Sequence, residues 1–278
     1  AVNVFTGQPN AARIVNKEGS ERNEFLNMLD KFEKGDIWLL DRGLDGRRVW
    51  ENIERQGQFF INRVRSQGGG TFLAVKKLVQ SGKLETIHQY KLKDQKSSLK
   101  IRFIRGRKLK DGTYLILATN LLDKKRYPRK QILKLYQRRW QVETHYYRAK
   151  TLLNLPKFHA RTINGIKQEL YANLLILSIT SLAVLRARQV QRSDKSLPNF
   201  KNAVEVVRRN LFYIIGTGQS RARSHQQALR MTQEIAQIVC QIQPGRSSPR
   251  YSRQAVNRWC FAKKDKIDRF KRTGKCGT

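Results

Sequence analysis

The chain has 278 residues, enough for one large or two modest domains, and its 39% hydrophobic content excludes a compositionally disordered protein. The formal net charge is +36 and the isoelectric point is near 10.8. Such a charge favours a polyanionic partner, with nucleic acid preferred over an acidic membrane. The three cysteines are too few and too scattered for a zinc site or a disulfide framework, which favours a reducing cytoplasm.

Residues 1–64 are predicted to form the first part of an α/β fold. The pattern predicts, in chain order, a strand at residues 1–5, a helix between Ser20 and Gly35, a strand at 36–40, a helix at 47–56 and a strand at 58–64. Asp41 follows the buried strand directly, and ligand-binding groups gather at strand carboxyl ends in α/β proteins. Taken alone, an aspartate in such a turn is more often a capping residue.

Residues 65–122 change character and predict a β-rich insertion. Its alternating and β-branched runs lie at residues 71–75, 84–92, 99–104 and 114–119, with turn signals between them. Residues 123–190 then predict a long helix at about 128–153 and a buried helix at about 166–187. The most apolar run, residues 170–185, is shorter than the roughly 20 residues that span a bilayer, so no membrane is expected.

The remaining chain is predicted to be helical and then basic. A C-terminal helical region covers residues 191–243, with helices at about 200–214 and 220–242. The tail at residues 244–278 carries eleven basic and two acidic residues. Such a tail can touch DNA, although a solvated terminus is the more common outcome.

The long helix is the most informative stretch, and its sequence separates into three faces. The apolar face is predicted to hold Leu135, Val142, Tyr146, Ala149 and Leu153. The face toward water is predicted to hold Gln137, Gln141, His145 and Arg148. Between the two stand Tyr136, Arg139, Trp140, Glu143 and Lys150.

The residue types on this third face suit a phosphodiester. A glutamate can hold Mg²⁺, basic and phenolic side chains can take phosphate oxygens, and a tryptophan can stack on an unpaired base. A competing interpretation is a basic helix in which Glu143 simply forms a salt bridge one turn away, for instance with Arg139. On composition alone, that competing interpretation has slightly more weight.

The spacing Tyr136, Arg139, Glu143, Lys150 resembles the Y-R-E-K signature of insertion-sequence-four-type DDE transposases. Asp41, followed by Arg42 and Gly43, resembles the second catalytic aspartate of that family. The two signatures come in the family's order, and the resemblance fades near residue 215. It implies a ribonuclease-H-like catalytic core with a β-rich insertion.

The resemblance also implies the chemistry, which is DNA strand cleavage and transfer with Mg²⁺ or Mn²⁺ in a two-metal site. Asp41 and Glu143 would be the catalytic metal ligands. The DNA-binding residues would be Arg42, Tyr136, Arg139, Trp140 and Lys150, with Tyr136, Arg139 and Lys150 on a phosphate and Trp140 stacking on a base. The partners would be transposon-end and target DNA, with a homodimer possible on DNA, in the cytoplasm.

Two parts of the family pattern have no match in the sequence. The family's first aspartate lies on an opening strand, and no acid before Asp41 is a credible replacement, so we expect an amino-terminally truncated catalytic region. The insertion lacks the stacking tryptophan of hairpin-forming relatives, for which Phe72, Tyr90, Phe103 and Tyr114 are candidate substitutes. We therefore expect the 278-residue chain to bind DNA without cutting it. The alternatives are a non-enzymatic basic nucleic-acid-binding protein or an inactive remnant, and a nuclease or resolvase of the same fold, which the signature spacing disfavours.

Overall fold

The computed structural model describes residues 1–15, 19–65, 72–91, 98–153, 158–191, 193, 195–216 and 220–243. Residues 1–240 form one compact unit. Residues 241–278 form a second unit, of which only 241–243 belong to the described part. The basic tail predicted at 244–278 therefore lies outside the described residues.

A five-stranded mixed sheet carries the first half of the chain. Its strands are β1 (Ile37–Leu40), β2 (Phe59–Arg63), β3 (Glu85–Lys91), β4 (Ser98–Lys108) and β5 (Tyr114–Thr119), in the spatial order β1-β2-β5-β4-β3. β1 and β2 run parallel, because the helix α2 (Arg47–Arg55) returns the chain between them, and the other neighbours are antiparallel. These strands confirm the α/β class and the strands expected at 36–40, 58–64, 84–92, 99–104 and 114–119.

Strand side chains alternate between the two faces of the sheet. Both faces carry apolar side chains, and helices pack on each of them. On one face, α1 (Glu21–Leu26), α2 and α3 (Phe72–Gln80) pack around Trp50 and Phe60. On the other face, Ile132 and Tyr136 of α4 (Arg129–Gln137) pack on Ile61 and Leu117. The second face therefore carries the segment with the Y-R-E-K spacing.

The strand predicted at residues 71–75 is wrong, because residues 72–75 belong to α3. Its buried side chains are Ala74, Val75 and Leu78, whose spacing is that of one helix face packed on the core. The strands predicted in the insertion continue the same sheet as β1 and β2.

The strand predicted at residues 1–5 is wrong as well. Only Val2 makes an isolated bridge, to Pro9. Between them, the Asn3 carboxamide accepts hydrogen bonds from the amides of Phe5 and Thr6, which bends the chain into an Asx-type turn.

The single helix predicted at 128–153 is broken into three pieces. α4 ends at Gln137, α5 covers Trp140–Tyr147, and a π-helical turn follows at Arg148–Leu152. At the break, the amides of Arg138 and Arg139 donate to carbonyls three residues back, which is the tighter 3₁₀ pattern. Because the chain is wound more tightly here, the side chains after the break point in directions that differ from those of one continuous helix.

The predicted helix faces need correction for that reason. His145, expected in water, is buried at 6% exposure, and Arg148 is half-buried with its guanidinium 3.7 Å from the centre of the Phe200 ring. Tyr146, expected on the apolar face, is exposed. Tyr136, expected between the faces, is buried in the core beside Ile132.

The C-terminal half of the unit is mainly helical, but the helix predicted at about 220–242 ends at Gln237, and residues 239–241 form a short strand instead. The helices are α6 (Ile163–Gln191), α7 (Phe200–Ile215) and α8 (Arg221–Gln237), and the short strands β6 (Ser196–Pro198) and β7 (Val239–Gln241) form a two-stranded sheet. Alanines of α6 pack with Val207 of α7 and Met231 of α8. The carboxamide of Asn199 caps α7 by accepting from the amides of Lys201 and Asn202.

α6 is longer than the apolar run at 170–185 suggested. Among the described helices it is the one long and apolar enough to cross a membrane by length and composition. The prediction that it is buried holds for one face, which includes Leu177 and Ala187. The opposite face exposes Tyr171 and Leu175.

A buried arginine fixes the segment that leads into α4. Arg102 on β4 is fully buried and forms a salt bridge at 2.6 Å with Glu85 on β3. The same guanidinium donates to the carbonyls of Leu121 and Tyr127 at 3.3 and 2.8 Å. These bonds attach the connection between β5 and α4 to the sheet, and so set where α4 begins.

Candidate active site

Tyr136 joins the Y-R-E-K segment to the end of β1. Its hydroxyl donates to the carbonyl oxygen of Leu40 at 3.2 Å, and the side chain is 7% exposed. Burial raises the pKa of Tyr136 to about 12, so the phenol stays protonated and remains a donor. This contact holds α4 against the residue that directly precedes Asp41.

Arg139 forms a hydrogen bond with Glu143, and the Asp41 charge also affects its pKa. Its Nη2 atom donates to Oε1 of Glu143 at 2.7 Å. Burial alone would lower the pKa of Arg139, but the hydrogen bond to Glu143 and the nearby charges of Glu143 and Asp41 raise it above its ordinary value. The salt-bridge interpretation of the helix accounts for the Glu143 contact, whereas the influence of the Asp41 charge on the pKa of Arg139 comes from β1, which is distant in the chain.

Asp41 is held in place by its own turn and by the neighbouring strand. Its Oδ1 accepts from the amide of Gly43 at 2.9 Å, so it caps a short 3₁₀ helix as an ordinary turn aspartate would. Its backbone carbonyl accepts from Nδ2 of Asn62 at 2.6 Å, and Oδ1 of Asn62 accepts from the Trp50 indole at 2.7 Å. Asp41 remains exposed while its backbone is fixed from beneath.

Sequence reasoning missed Asn62 and Trp50 as residues that position Asp41. Asn62 is fully buried, as is Trp50, and a buried amide needs hydrogen-bond partners. The signal was available in the sequence, because a polar asparagine directly follows the apolar run Phe59 to Ile61 within β2.

Each of the two predicted metal ligands keeps one carboxylate oxygen that the described part of the protein does not use. Asp41 uses Oδ1 for the Gly43 amide and Glu143 uses Oε1 for Arg139, so each keeps its second oxygen outside those bonds. Mg²⁺ is commonly held by one or two carboxylates together with water and substrate phosphate. Among the described residues, no group of three or more His, Cys, Asp or Glu side chains could hold a metal.

The other predicted DNA-binding residues, Arg42, Trp140 and Lys150, are all exposed. Arg42 begins the turn after Asp41, and Trp140 begins α5 with 63% of its surface exposed. Lys150 lies exposed in the π-helical turn, whose wider winding shifts its rotation relative to Glu143.

The structure narrows the choice of an aromatic residue to replace the missing stacking tryptophan. Tyr90 and Phe103 lie in the core, so neither can stack on a base there. Tyr114 is half-buried beneath the Arg105 guanidinium, which lies 5.1 Å from the ring centre. The side chain of Phe72 falls outside the described part of the chain.

Comparison with known proteins identifies the family. The sequence profile described as "Transposase DDE domain" matches residues 1–179, which is more than half of the chain. The chain belongs to the DDE transposase family. The match covers the sheet, Asp41, the Y-R-E-K segment and the first part of α6.

A relative with a known name is the transposase for insertion sequence element IS231F from Bacillus thuringiensis subsp. israelensis. It is 28% identical over 138 aligned residues, which cover 46% of this chain and 26% of the relative. This DDE transposase chain thus aligns with about a quarter of the length of that relative.

Proposed function

We propose that this chain supplies the catalytic region of a DNA transposase, in which Asp41 and Glu143 hold a divalent cation against a DNA phosphate. The observation that carries the proposal is the hydrogen bond from Tyr136 to the Leu40 carbonyl. It brings the segment that holds Arg139 and Glu143 to the strand end that holds Asp41. Ligand-binding groups collect at this end of parallel strands.

The family relationship and the sheet support a ribonuclease-H-like core. One proposed carboxylate ligand lies at the end of a strand, Asp41 after β1, and the other lies on α5, which follows the helix α4 that packs on the sheet. The Y-R-E-K assignment to the insertion-sequence-four type rests on the spacing of Tyr136, Arg139, Glu143 and Lys150. We propose Mg²⁺ or Mn²⁺ as the cation and DNA as the partner.

Each residue has a distinct role in phosphoryl transfer. A bound metal would lower the pKa of a coordinated water or hydroxyl and offset charge on the phosphate. Asp41 and Glu143 would hold that metal, while Arg139 and Lys150 would neutralise phosphate oxygens. Trp140, exposed beside Glu143, offers a face on which an unpaired base can stack. Tyr136 acts by holding α4 in place, because its hydroxyl is already used inside the protein.

Iron-mediated strand scission tests whether metal and DNA meet at these carboxylates. Fe²⁺ replaces Mg²⁺, and ascorbate with peroxide then generates radicals that cut DNA only near the bound metal. We expect the wild-type chain to cut a bound, end-labelled duplex, and Asp41→Asn and Glu143→Gln to reduce the cutting to the level without protein.

The matched control is Asp36→Asn, at the opposite end of the same strand, where an exposed aspartate precedes β1. This variant should cut as the wild type does. Equal scission by all four proteins, with DNA binding intact, would mean that Asp41 and Glu143 hold no metal beside DNA.

A further inference from the structure

Arg63 is the last residue of β2 and lies beside Asp41. In the parallel pair β1 and β2, Leu40 is opposite Asn62, so the next residue in each chain is Asp41 and Arg63. The bond from Asn62 to the Asp41 carbonyl, 2.6 Å long, keeps the two chains adjacent beyond the end of β1. Neighbouring strands lie about 4.8 Å apart. Arg63 therefore ends at the same edge of the sheet as Asp41.

The side chains of Arg63 and Asp41 also share one face of the sheet. Leu39 and Ile61, two residues earlier in each strand, pack on the α4 side with Tyr136. Strand alternation places Asp41 and Arg63 on that side too. Consistent with this, the Arg63 charge lowers the pKa of the buried Tyr136 phenol and the Asp41 charge raises it.

The guanidinium of Arg63 has no fixed partner in the part of the chain that the structure describes. Arg102 is bound to Glu85 and Arg139 to Glu143, but among the described residues no carboxylate lies within ion-pair distance of Arg63 and no hydrogen bond uses its side chain. In the turn between β4 and β5, the Thr113 hydrogen bonds lower the pKa of Asp111, and the Arg63 charge adds to that effect. A half-buried arginine with no fixed partner among the described residues is suited to bind an anion.

We propose that Arg63 binds the DNA phosphate that lies at Asp41 and Glu143. The proposal rests on the proposed function and extends it to a residue outside the Y-R-E-K and D-R-G sequences. The planar guanidinium makes two parallel hydrogen bonds to phosphate oxygens from the β2 side, while Arg139 approaches from the helix side. The phosphate is thereby held between two elements that the fold brings together.

The test measures affinity for a short duplex of arbitrary sequence as a function of salt concentration, without metal. Arg63→Gln should reduce the slope of log affinity against log salt by about one unit, the loss of one phosphate contact. Arg63→Lys keeps the charge without the planar fork, so it should keep the slope and bind more weakly. The matched control is Arg55→Gln, an exposed arginine at the end of α2 that precedes the opposite end of β2, which should keep the slope.

The iron-scission assay adds a local readout at saturating protein. Arg63→Gln should lose most of the scission while still binding the duplex, because the phosphate is no longer held at the carboxylates. Slopes and scission for Arg63→Gln equal to those of Arg55→Gln would overturn the proposal. If Arg63→Gln does not fold, Arg63→Lys decides, since affinity equal to wild type would also overturn it. Absence of scission in the wild type would instead count against the proposed function, and the salt slopes would still decide the role of Arg63.

Discussion

At the scale of single residues, Tyr136 shows how a chemically reasonable prediction changes when burial is known. The phenol was predicted to touch a DNA phosphate because the Y-R-E-K resemblance implies that role and because it shares a predicted helix face with Arg139 and Lys150. In the fold its hydroxyl donates to Leu40 and its ring packs in the core. The residue type was identified from the sequence, but the direction of the side chain depends on β1, which is distant in the chain.

Removing only the hydroxyl separates these two roles. Tyr136→Phe should lower the free energy of unfolding by about 1 kcal/mol, the usual net value of a hydrogen bond. The affinity for DNA at a fixed salt concentration should not change, because the hydroxyl is used inside the protein. The measurements are denaturant unfolding and DNA affinity, with Tyr147→Phe at an exposed position as the control. A loss of affinity of about fivefold or more in Tyr136→Phe alone would restore the direct phosphate contact.

At the scale of elements, the break between α4 and α5 marks the limit of sequence reasoning. Positions 129–153 contain no proline or glycine that would indicate a break. The 3₁₀ bonds at Arg138 and Arg139 arise where α4 leaves the sheet and α5 continues toward α6. Because of this break, the faces of His145 and Tyr146 were predicted wrongly. The grouping of Asp41, Arg139 and Glu143 at one site stays a prediction.

The Arg102 contacts provide a prediction about how α4 is held. Arg102→Met removes a buried guanidinium that bonds Glu85 and two carbonyls, so the free energy of unfolding at pH 7 should fall by about 3 kcal/mol. Although partial burial of Glu85 favours its neutral form, the bonds to Arg102 and Lys124 lower its pKa below the ordinary value. Stability from this pair is therefore present above about pH 4.5 and is lost as the pH falls further.

The measurement is denaturant unfolding of the wild type and Arg102→Met between pH 3 and 7. The difference in the free energy of unfolding between the two proteins should decrease as the pH falls. Arg105→Gln, which removes an exposed arginine bound to the Gly82 carbonyl, is the control and should cost less. If the difference in the free energy of unfolding stayed constant from pH 7 to pH 3, Arg102 would not be what lowers the pKa of Glu85.

At the scale of the whole molecule, local signals were predicted well and long-range pairings were not. Hydrophobic patterning located most helices and strands within a few residues, because burial of one face produces a periodic pattern of apolar residues in the local sequence. The order of strands in the sheet, the Asn62 bond beneath Asp41 and the place of Arg63 depend on partners distant in the chain. Those features required the structure.

We propose that Asp41 and Glu143, which are distant in the sequence, hold one metal ion. Electron paramagnetic resonance of bound Mn²⁺ tests this most directly. We expect the wild type to bind Mn²⁺, and Asp41→Asn and Glu143→Gln each to weaken binding by at least about tenfold. The double variant should bind no more weakly than the weaker single variant, because ligands of one site do not act additively. Asp36→Asn should bind as the wild type does. Mn²⁺ binding that neither substitution changes, or that the two reduce independently, would contradict a shared site.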